Sequence, residues 1–207
     1  MSLFTIGHST HTQEYFLGLL RQHNIDYVLD VRSSPFSRFA SQFNKDVIED
    51  YLKKNNIVYC PMGKFFGARP TDRTLYCAEG YLDFEKTRAS ELFKKGLDNV
   101  MLGLASGHNI ALMCTEKDPF DCHRTIMVSR GFELNGVNVQ HIHADGHLET
   151  QDEINIRLLD NLEKKENVDI HQISLFEQPK SEKEWLEDAY RLRNKEIGFN
   201  INEGGQL

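Results

Sequence analysis

The chain has 207 residues, of which 40% are hydrophobic and 27% are charged, and its net charge is −7. This length suits one domain with a sizeable core and a smaller appendage, and no apolar stretch is long enough to span a membrane. Residues 148–207 hold 14 acidic and 8 basic side chains, against 17 and 16 in residues 1–147. Non-specific nucleic-acid binding through overall charge is therefore not expected.

The first six residues and the cysteine content both predict a cytoplasmic protein. Residues 1–6 have neither the basic region nor the long apolar run of an export signal, and they are typical of a first strand. Thiols stay reduced in the cytoplasm, so catalytic, metal-binding or buried roles are expected for the cysteines instead of a disulfide framework. The four cysteines are Cys60, Cys77, Cys114 and Cys122.

Strand-like and helix-like segments alternate over the first 147 residues. This alternation predicts an α/β fold with a mostly parallel sheet and helices on both faces. From about Glu149 the pattern becomes helical, so we expect an α/β domain at 1–147 and an acidic helical C-terminal extension at 148–207, with helices near 153–159 and 182–195. The expected strands are 3–6, 27–31, 57–60, 110–113 and 137–142, and the expected helices of the first part are 12–23, 45–55, 83–105 and 122–134.

Polar side chains follow several of the expected strands at the point where each strand ends. Because the carboxyl ends of parallel strands meet at one edge of a sheet, we expect these side chains to converge there. Arginines suit phosphate and carboxylate groups, so the edge predicts a small anionic or nucleotide-like ligand. The candidate binding residues are His8, Ser9, Asp30, Arg32, Ser37, Arg38, Arg124 and His141, and Lys64 and Arg69 add further cations from the long loop after the third strand.

A purely structural interpretation is also open for several of these residues. Asp30 ends an apolar strand, where a carboxylate more often orients a neighbour by hydrogen bonding, and an ion pair with Arg32 or Arg38 is the simplest account of the charges. Ser9 can cap the following helix, which leaves His8 without a chemical role.

The stretch from Met113 to Arg124 contains the highest density of reactive side chains in the chain. Two thiols, an imidazole, a guanidinium and three carboxylates lie between an apolar strand and a helical pattern. Asp121 is expected to cap that helix, which would place Cys122 in its first turn, where free N–H groups favour a thiolate. The candidate catalytic residues are Cys114, Glu116, Cys122 and His123.

Five short motifs together resemble the bacterial proteins grouped as domain of unknown function 488. The resemblance spans about residues 2–147 and implies a Rossmann-like α/β domain, but it implies little about the reaction. The motifs are Thr5-Ile6-Gly7-His8-Ser9, Asp30-Val31-Arg32-Ser33 with Pro35 and Ser37-Arg38, Cys114-x-Glu116 with Pro119, Cys122-His123-Arg124, and His141-Ile142.

The Val28-Leu29-Asp30-Val31-Arg32 strand, with Cys114 at the end of a later strand, also looks like the layout of rhodanese-type sulfurtransferases. In that class and in cysteine phosphatases, the nucleophile begins a short anion-binding loop. Here Arg124 follows Cys114 by ten positions, and the intervening Asp118-Pro119 is neither glycine-rich nor cationic. This departure argues against both readings.

Three classes of function remain open on this sequence. The first is a hydrolase or transferase for a phosphate-bearing substrate, with a nucleophile and acid–base groups from the cysteine segment. The second is a zinc or iron site built from Cys114, Cys122 and His123, with His8 or His141 as further ligands. The third is an adaptor without catalytic activity.

The adaptor alternative depends on one peptide in the C-terminal extension. The residues from Gln172 to Phe176 read Gln-Ile-Ser-Leu-Phe, which resembles the peptide by which bacterial replication and repair proteins dock on the DNA sliding clamp. An extended peptide of this kind buries a few apolar anchors in a groove. The same apolar side chains can instead cover the α/β core, and this interpretation is preferred because a short peptide matches by chance.

Overall fold

A computed structural model describes residues 3–168, 170 and 180–202 of the chain. Its sheet has six strands in the order β3-β2-β4-β1-β5-β6. The first five strands run parallel, and β6 is antiparallel to β5. The predicted α/β fold with a mostly parallel sheet is therefore confirmed. The strands are β1 (Leu3–Gly7), β2 (Tyr27–Asp30), β3 (Val58–Pro61), β4 (Ile110–Cys114), β5 (Val139–Ile142) and β6 (Leu148–Thr150).

Helices cover both faces of the sheet. Successive strand residues point to opposite faces, and on each face they pack into a separate apolar cluster. In β4, Leu112 and Cys114 face one cluster, and Ala111 and Met113 face the other. A strand buried on both faces reads as a continuous apolar run, which is why β1 and β4 were recognisable in the sequence. The helices are α1 (Gln13–Gln22), α2 (Lys45–Lys54), α3 (Gly63–Phe66), α4 (Phe84–Ala89), α5 (Glu91–Ala105), α6 (Arg130–Glu133), α7 (Gln151–Glu166) and α8 (Glu182–Ile197).

The predicted helix at 83–105 is in fact two helices, α4 and α5, which meet at Ser90. Its backbone is extended (φ −68°, ψ 147°), and its side-chain oxygen accepts a hydrogen bond from the Phe93 N–H. Serine is a strong N-cap, so it starts a new helix inside an otherwise helical pattern. The short helix α3 and the edge strand β6 were not predicted either.

The C-terminal helices α7 and α8 pack on one face of the sheet and share its apolar core. Ile154, Leu158 and Ala189 belong to the same cluster as Leu3 and Leu112. The boundary between 147 and 148 stays a prediction. The peptide from Gln172 to Phe176 lies outside the described residues, so docking to a sliding clamp also stays a prediction. Among the described helices, none combines the length and apolar character needed to cross a membrane.

Candidate functional site

The carboxyl ends of β1, β2 and β4 meet at one edge of the sheet, where the loops after them touch. His8 donates its backbone N–H to the Cys114 carbonyl at 2.9 Å, and Ser9 donates to the Thr115 carbonyl at 2.9 Å. A Cβ at Gly7 would lie 1.9 Å from the Glu116 carbonyl oxygen. Only glycine therefore permits this approach of the two loops.

Four reactive side chains form a compact cluster at this edge, which we call the thiol cluster: Cys114, Glu116, Cys122 and His123. One potential ligand atom from each residue lies within 4.8 Å of the others. The Nδ1 atom of His123 is 3.7 Å from Cys114 Sγ and 3.9 Å from Cys122 Sγ. The Oε2 atom of Glu116 is 2.8 Å from Cys122 Sγ. The structure thus brings together all four predicted catalytic residues.

The orientation of the His123 ring is set by the end of β2. Its Nε2 atom lies 3.2 Å from the carbonyl oxygen of Val31. A carbonyl can only accept, so Nε2 carries a hydrogen and donates it. The other ring nitrogen, Nδ1, therefore faces the two sulfur atoms.

All four groups of the thiol cluster have shifted pKa values: those of Cys114, Glu116 and His123 are raised, and that of Cys122 is lowered. Burial raises the pKa of the Cys114 thiol well above its usual value, and burial together with Cys122 raises the pKa of Glu116. Burial also opposes ionisation of Cys122, but the hydrogen bond from Cys114 and the charges of Arg124 and His123 lower its pKa well below the usual value. Burial acts to lower the pKa of His123, but its contact with Cys122 outweighs this and raises it. Cys122 is the thiol more suited to ionise.

The prediction that Asp121 caps the following helix is wrong. Residues Pro119–Asp121 form a 3-10 turn, and the Asp121 carboxylate pairs with Arg193. Cys122 has an extended backbone (φ −130°, ψ 139°), and its carbonyl accepts from the N–H of Thr125 and Ile126. Its sulfur is 3.4 Å from the Arg124 N–H. Cys122 itself thus makes the contacts of a capping residue.

The helix after Cys122 begins with a π-helical stretch, Arg124–Ser129, and continues into α6. Arg124 is fully buried in this stretch. Its guanidinium donates to the carbonyls of Glu116 at 2.6 Å and Lys117 at 3.4 Å, and to the Thr5 hydroxyl at 3.3 Å. Arg124 therefore holds the loop that carries Glu116 and does not present its charge to solvent.

Arg32 is also buried, and most of its donors are already used. It forms two hydrogen bonds with the Asp30 carboxylate at 2.9 and 2.6 Å, and it also donates to the Phe43 carbonyl at 2.8 Å and to His8 Nε2 at 3.0 Å. The Tyr59 hydroxyl completes the shell of Asp30 at 2.7 Å. The ion pair considered for Asp30 is the arrangement found here.

A cavity of about 500 Å³ opens beside the thiol cluster. Cys114, Glu116 and His123 lie on its wall, whereas Cys122 lies behind them. The lower-pKa thiol is thus not the one on the wall, and a ligand in the cavity meets Cys114 first. The remaining wall residues are Arg32, Ser33, Ser34, Phe36, Ser37, Ala68, Arg69, Thr115, Asp121, Ile197 and Phe199.

A family model for the domain of unknown function DUF488 matches residues 12–130, more than half of the chain and the whole of the thiol cluster. The chain belongs to the DUF488 family. Neither the curated proteins nor the solved structures include a match to it. The family description assigns no reaction, so function has to be argued from the site.

Two predicted binding histidines lie outside the range matched by the DUF488 model. His8 is buried against the Phe43 ring at 4.4 Å, accepts from Arg32 and contacts the Ser9 carbonyl through Nδ1. Burial and the Arg32 charge lower the pKa of His8 to about 4. His141 is fully buried between the Thr5 hydroxyl and Gln151. Neither imidazole is among the cavity wall residues.

Of the remaining predicted binding residues, Ser37 lines the cavity and Arg38 is exposed on the same loop. Ser9 is not among the cavity wall residues, and it does not cap α1 as considered, because the capping side chain is that of Thr12. Sequence reasoning did not single out Phe36 or Phe199. The sequence signal available for Phe36 was a single aromatic residue within a serine-rich loop. Phe199 reaches the site from the end of α8, and no local pattern indicates this.

Proposed function

We propose that the DUF488 chain is a metal-dependent enzyme that acts on a small anionic substrate in the cavity beside the thiol cluster. Cys114, Cys122 and His123 would hold one zinc or iron ion. The observation that carries this proposal is the convergence of two sulfur atoms on the free ring nitrogen of His123. Thiolate and imidazole ligands suit both metals.

The distances in the thiol cluster support a three-residue site. Sulfur and nitrogen ligands of a tetrahedral zinc ion are separated by roughly 3.6 Å, given the usual Zn–S and Zn–N bond lengths. The distances of 3.7 and 3.9 Å to His123 Nδ1 match this value. The Val31 carbonyl supplies the outer hydrogen bond that ligating histidines usually make through their second nitrogen.

Glu116 fits an acid–base role better than a ligand role. Its Oε2 atom is 2.8 Å from Cys122 Sγ, closer than the roughly 3.5 Å that separates sulfur and oxygen ligands on a tetrahedral ion. Its raised pKa moves the carboxyl group toward the range in which a side chain can take up and return a proton near neutral pH. A metal with three protein ligands would add an open position for water or substrate.

A second candidate function uses the same residues without metal. The lowered pKa of Cys122 and the raised pKa of His123 favour a thiolate–imidazolium pair, the activated form of a nucleophilic cysteine. Under either candidate, we place the protein in the cytoplasm, where cysteines stay reduced; the four cysteines, all among the described residues, form no disulfide.

Metal content separates the two candidates. Protein purified without chelator, or reconstituted anaerobically, should carry about one equivalent of zinc or iron by elemental analysis. Cys122→Ser and His123→Ala should lose it, whereas Cys60→Ser, which alters a half-buried thiol on β3, should keep it. Wild-type protein that stays metal-free after reconstitution would refute the metal proposal and leave the thiolate candidate.

A further pair of measurements tests the role of Glu116. If Glu116 transfers protons, Glu116→Gln should retain the metal and lower kcat on a phosphate-ester probe such as p-nitrophenyl phosphate by about 10²- to 10⁴-fold. Loss of metal in this variant would make Glu116 a ligand instead.

A further inference from the structure

We propose that the cavity beside the thiol cluster binds a nucleotide, with the base stacked on Phe36 and the phosphate beside Arg69. This inference rests on the proposed function only in taking the cavity as the substrate site. It is carried by three features that share the wall of this cavity: an exposed aromatic ring, an arginine that makes no ion pair with the described residues, and several hydroxyl groups.

The first feature is the ring of Phe36, which lines the cavity and is 67% exposed. An ordered loop holds it there. The Ser37 N–H donates to the Asn44 side chain at 2.7 Å, and the Lys45 N–H donates to the Pro35 carbonyl at 2.9 Å. A flat apolar ring presented by a fixed loop is the surface on which a nucleobase stacks.

The second feature is Arg69, whose guanidinium is not paired with a carboxylate of the described residues, unlike that of Arg32. Its guanidinium lies 4.7 Å from the centre of the Phe199 ring and, within the described part of the chain, makes no ion pair. Arg32 is paired with Asp30. The carboxylate of Asp121, on the same wall, is neutralised by Arg193. Arg69 is therefore the wall cation best able to receive a phosphate.

The third feature is a set of hydroxyl groups on the same cavity wall. Ser34 and Thr115 line the cavity, and Ser33 lies beside Arg69, whose backbone N–H it accepts at 2.9 Å. Hydroxyl groups can both donate to and accept from sugar hydroxyls. The volume of about 500 Å³ lies in the range of small-molecule sites. A ring, hydroxyls and a cation together match the base, sugar and phosphate of one nucleotide.

Isothermal titration calorimetry with AMP, CMP, GMP and UMP tests the inference on the full-length protein. At least one nucleotide should bind with one-to-one stoichiometry and more tightly than ribose 5-phosphate, which lacks the base, and than its own nucleoside, which lacks the phosphate. Phe36→Ala should weaken binding by about 5- to 150-fold, the range expected for loss of one stacked base, and Phe36→Tyr should restore it. Arg69→Ala should abolish the preference for the nucleotide over the nucleoside.

Two variants control for general effects of these substitutions. Leu102→Ala removes an apolar side chain that is also 67% exposed but lies away from the cavity. Arg73→Ala removes an arginine that also lies over an aromatic ring, that of Tyr76, outside the cavity. Both should bind the nucleotide as the wild-type protein does. Equal affinity for ribose 5-phosphate and the nucleotides, or unchanged binding by Phe36→Ala, would overturn the inference.

The same titrations on chelator-treated protein separate this inference from the proposed function. If nucleotide binding depends on Phe36 and elemental analysis finds no metal even after reconstitution, the metal proposal is refuted and the nucleotide site is supported. Metal uptake without binding of any nucleotide at millimolar concentration would do the reverse.

Discussion

The guanidinium of Arg124 lies 2.6 Å from the backbone carbonyl oxygen of Glu116. This contact connects the helical stretch that begins at Arg124 to the loop that follows β4. The same carbonyl blocks any side chain at Gly7. The sequence predicted Arg124 as a binding residue for an anionic ligand. Its burial makes it a structural cation that aligns three segments of the site.

Replacing Arg124 should therefore destabilise the fold. Arg124→Lys keeps the charge but cannot reach the two carbonyls and the Thr5 hydroxyl at once, so buried acceptors lose their donors. We expect the free energy of unfolding, measured in urea, to fall by about 2–4 kcal/mol. Arg38→Lys, on an exposed arginine, is the matched control and should change it by less than about 0.5 kcal/mol. Equal stability of the two variants would contradict this assignment.

A methyl group at Gly7 should separate the two loops. Because its Cβ would lie 1.9 Å from a backbone oxygen, Gly7→Ala has to move the main chain, and we expect a loss of at least about 2 kcal/mol in unfolding free energy. Gly18→Ala, in α1, meets no atom within 4 Å and should instead stabilise the protein by up to about 1 kcal/mol. Thermal unfolding of both variants tests the geometry: Gly7→Ala should lower the Tm, and Gly18→Ala should raise it.

Removing one charge of the buried ion pair between Asp30 and Arg32 should lower the free energy of unfolding. Asp30→Asn leaves the Arg32 guanidinium buried without a counter-charge, at an expected cost of about 3–5 kcal/mol. Tyr59→Phe removes one hydrogen bond to the same carboxylate and should cost about 1 kcal/mol. The double variant should cost less than the two single effects combined, since both groups act on one carboxylate. Strict additivity in chemical denaturation would argue against a shared network.

His141 should make the protein less stable in mild acid. Burial and the Arg124 charge lower the pKa of His141 from 6.5 to about 3. Below pH 6.5 the imidazole is therefore protonated in the unfolded chain but stays neutral in the folded chain. The free energy of unfolding falls from pH 6.5 toward pH 3, by at most about 3 kcal/mol at pH 4.5. His141→Gln should have a shallower pH slope of unfolding free energy than the wild-type protein. The exposed His147→Gln is the control, and equal slopes in all three proteins would contradict the expectation.

Local patterns were sufficient to predict most of the sheet and the place of the site. The apolar runs of β1 and β4 are buried on both faces, so they read as strands without any knowledge of their neighbours. Parallel strands align their carboxyl ends, and this rule alone predicted that His8, Arg32 and Cys114 would converge. The thiol cluster was predictable from the local sequence, because all four of its residues lie within the ten positions from Cys114 to His123.

Only the tertiary structure decided what each charged side chain does. An arginine at this edge of the sheet can face a ligand or a buried carbonyl, and Arg124 faces carbonyls because Gly7 lets the neighbouring loop approach. Arg69 makes no ion pair with the described residues, and its guanidinium lies over the ring of Phe199. That ring comes from a segment 130 positions away in the chain. Hydrophobic periodicity reports which face of an element is buried and carries no information on which distant atoms meet there. Composition, most strand positions and the reactive segment follow from the sequence, whereas the separation of structural from available charges depends on long-range packing.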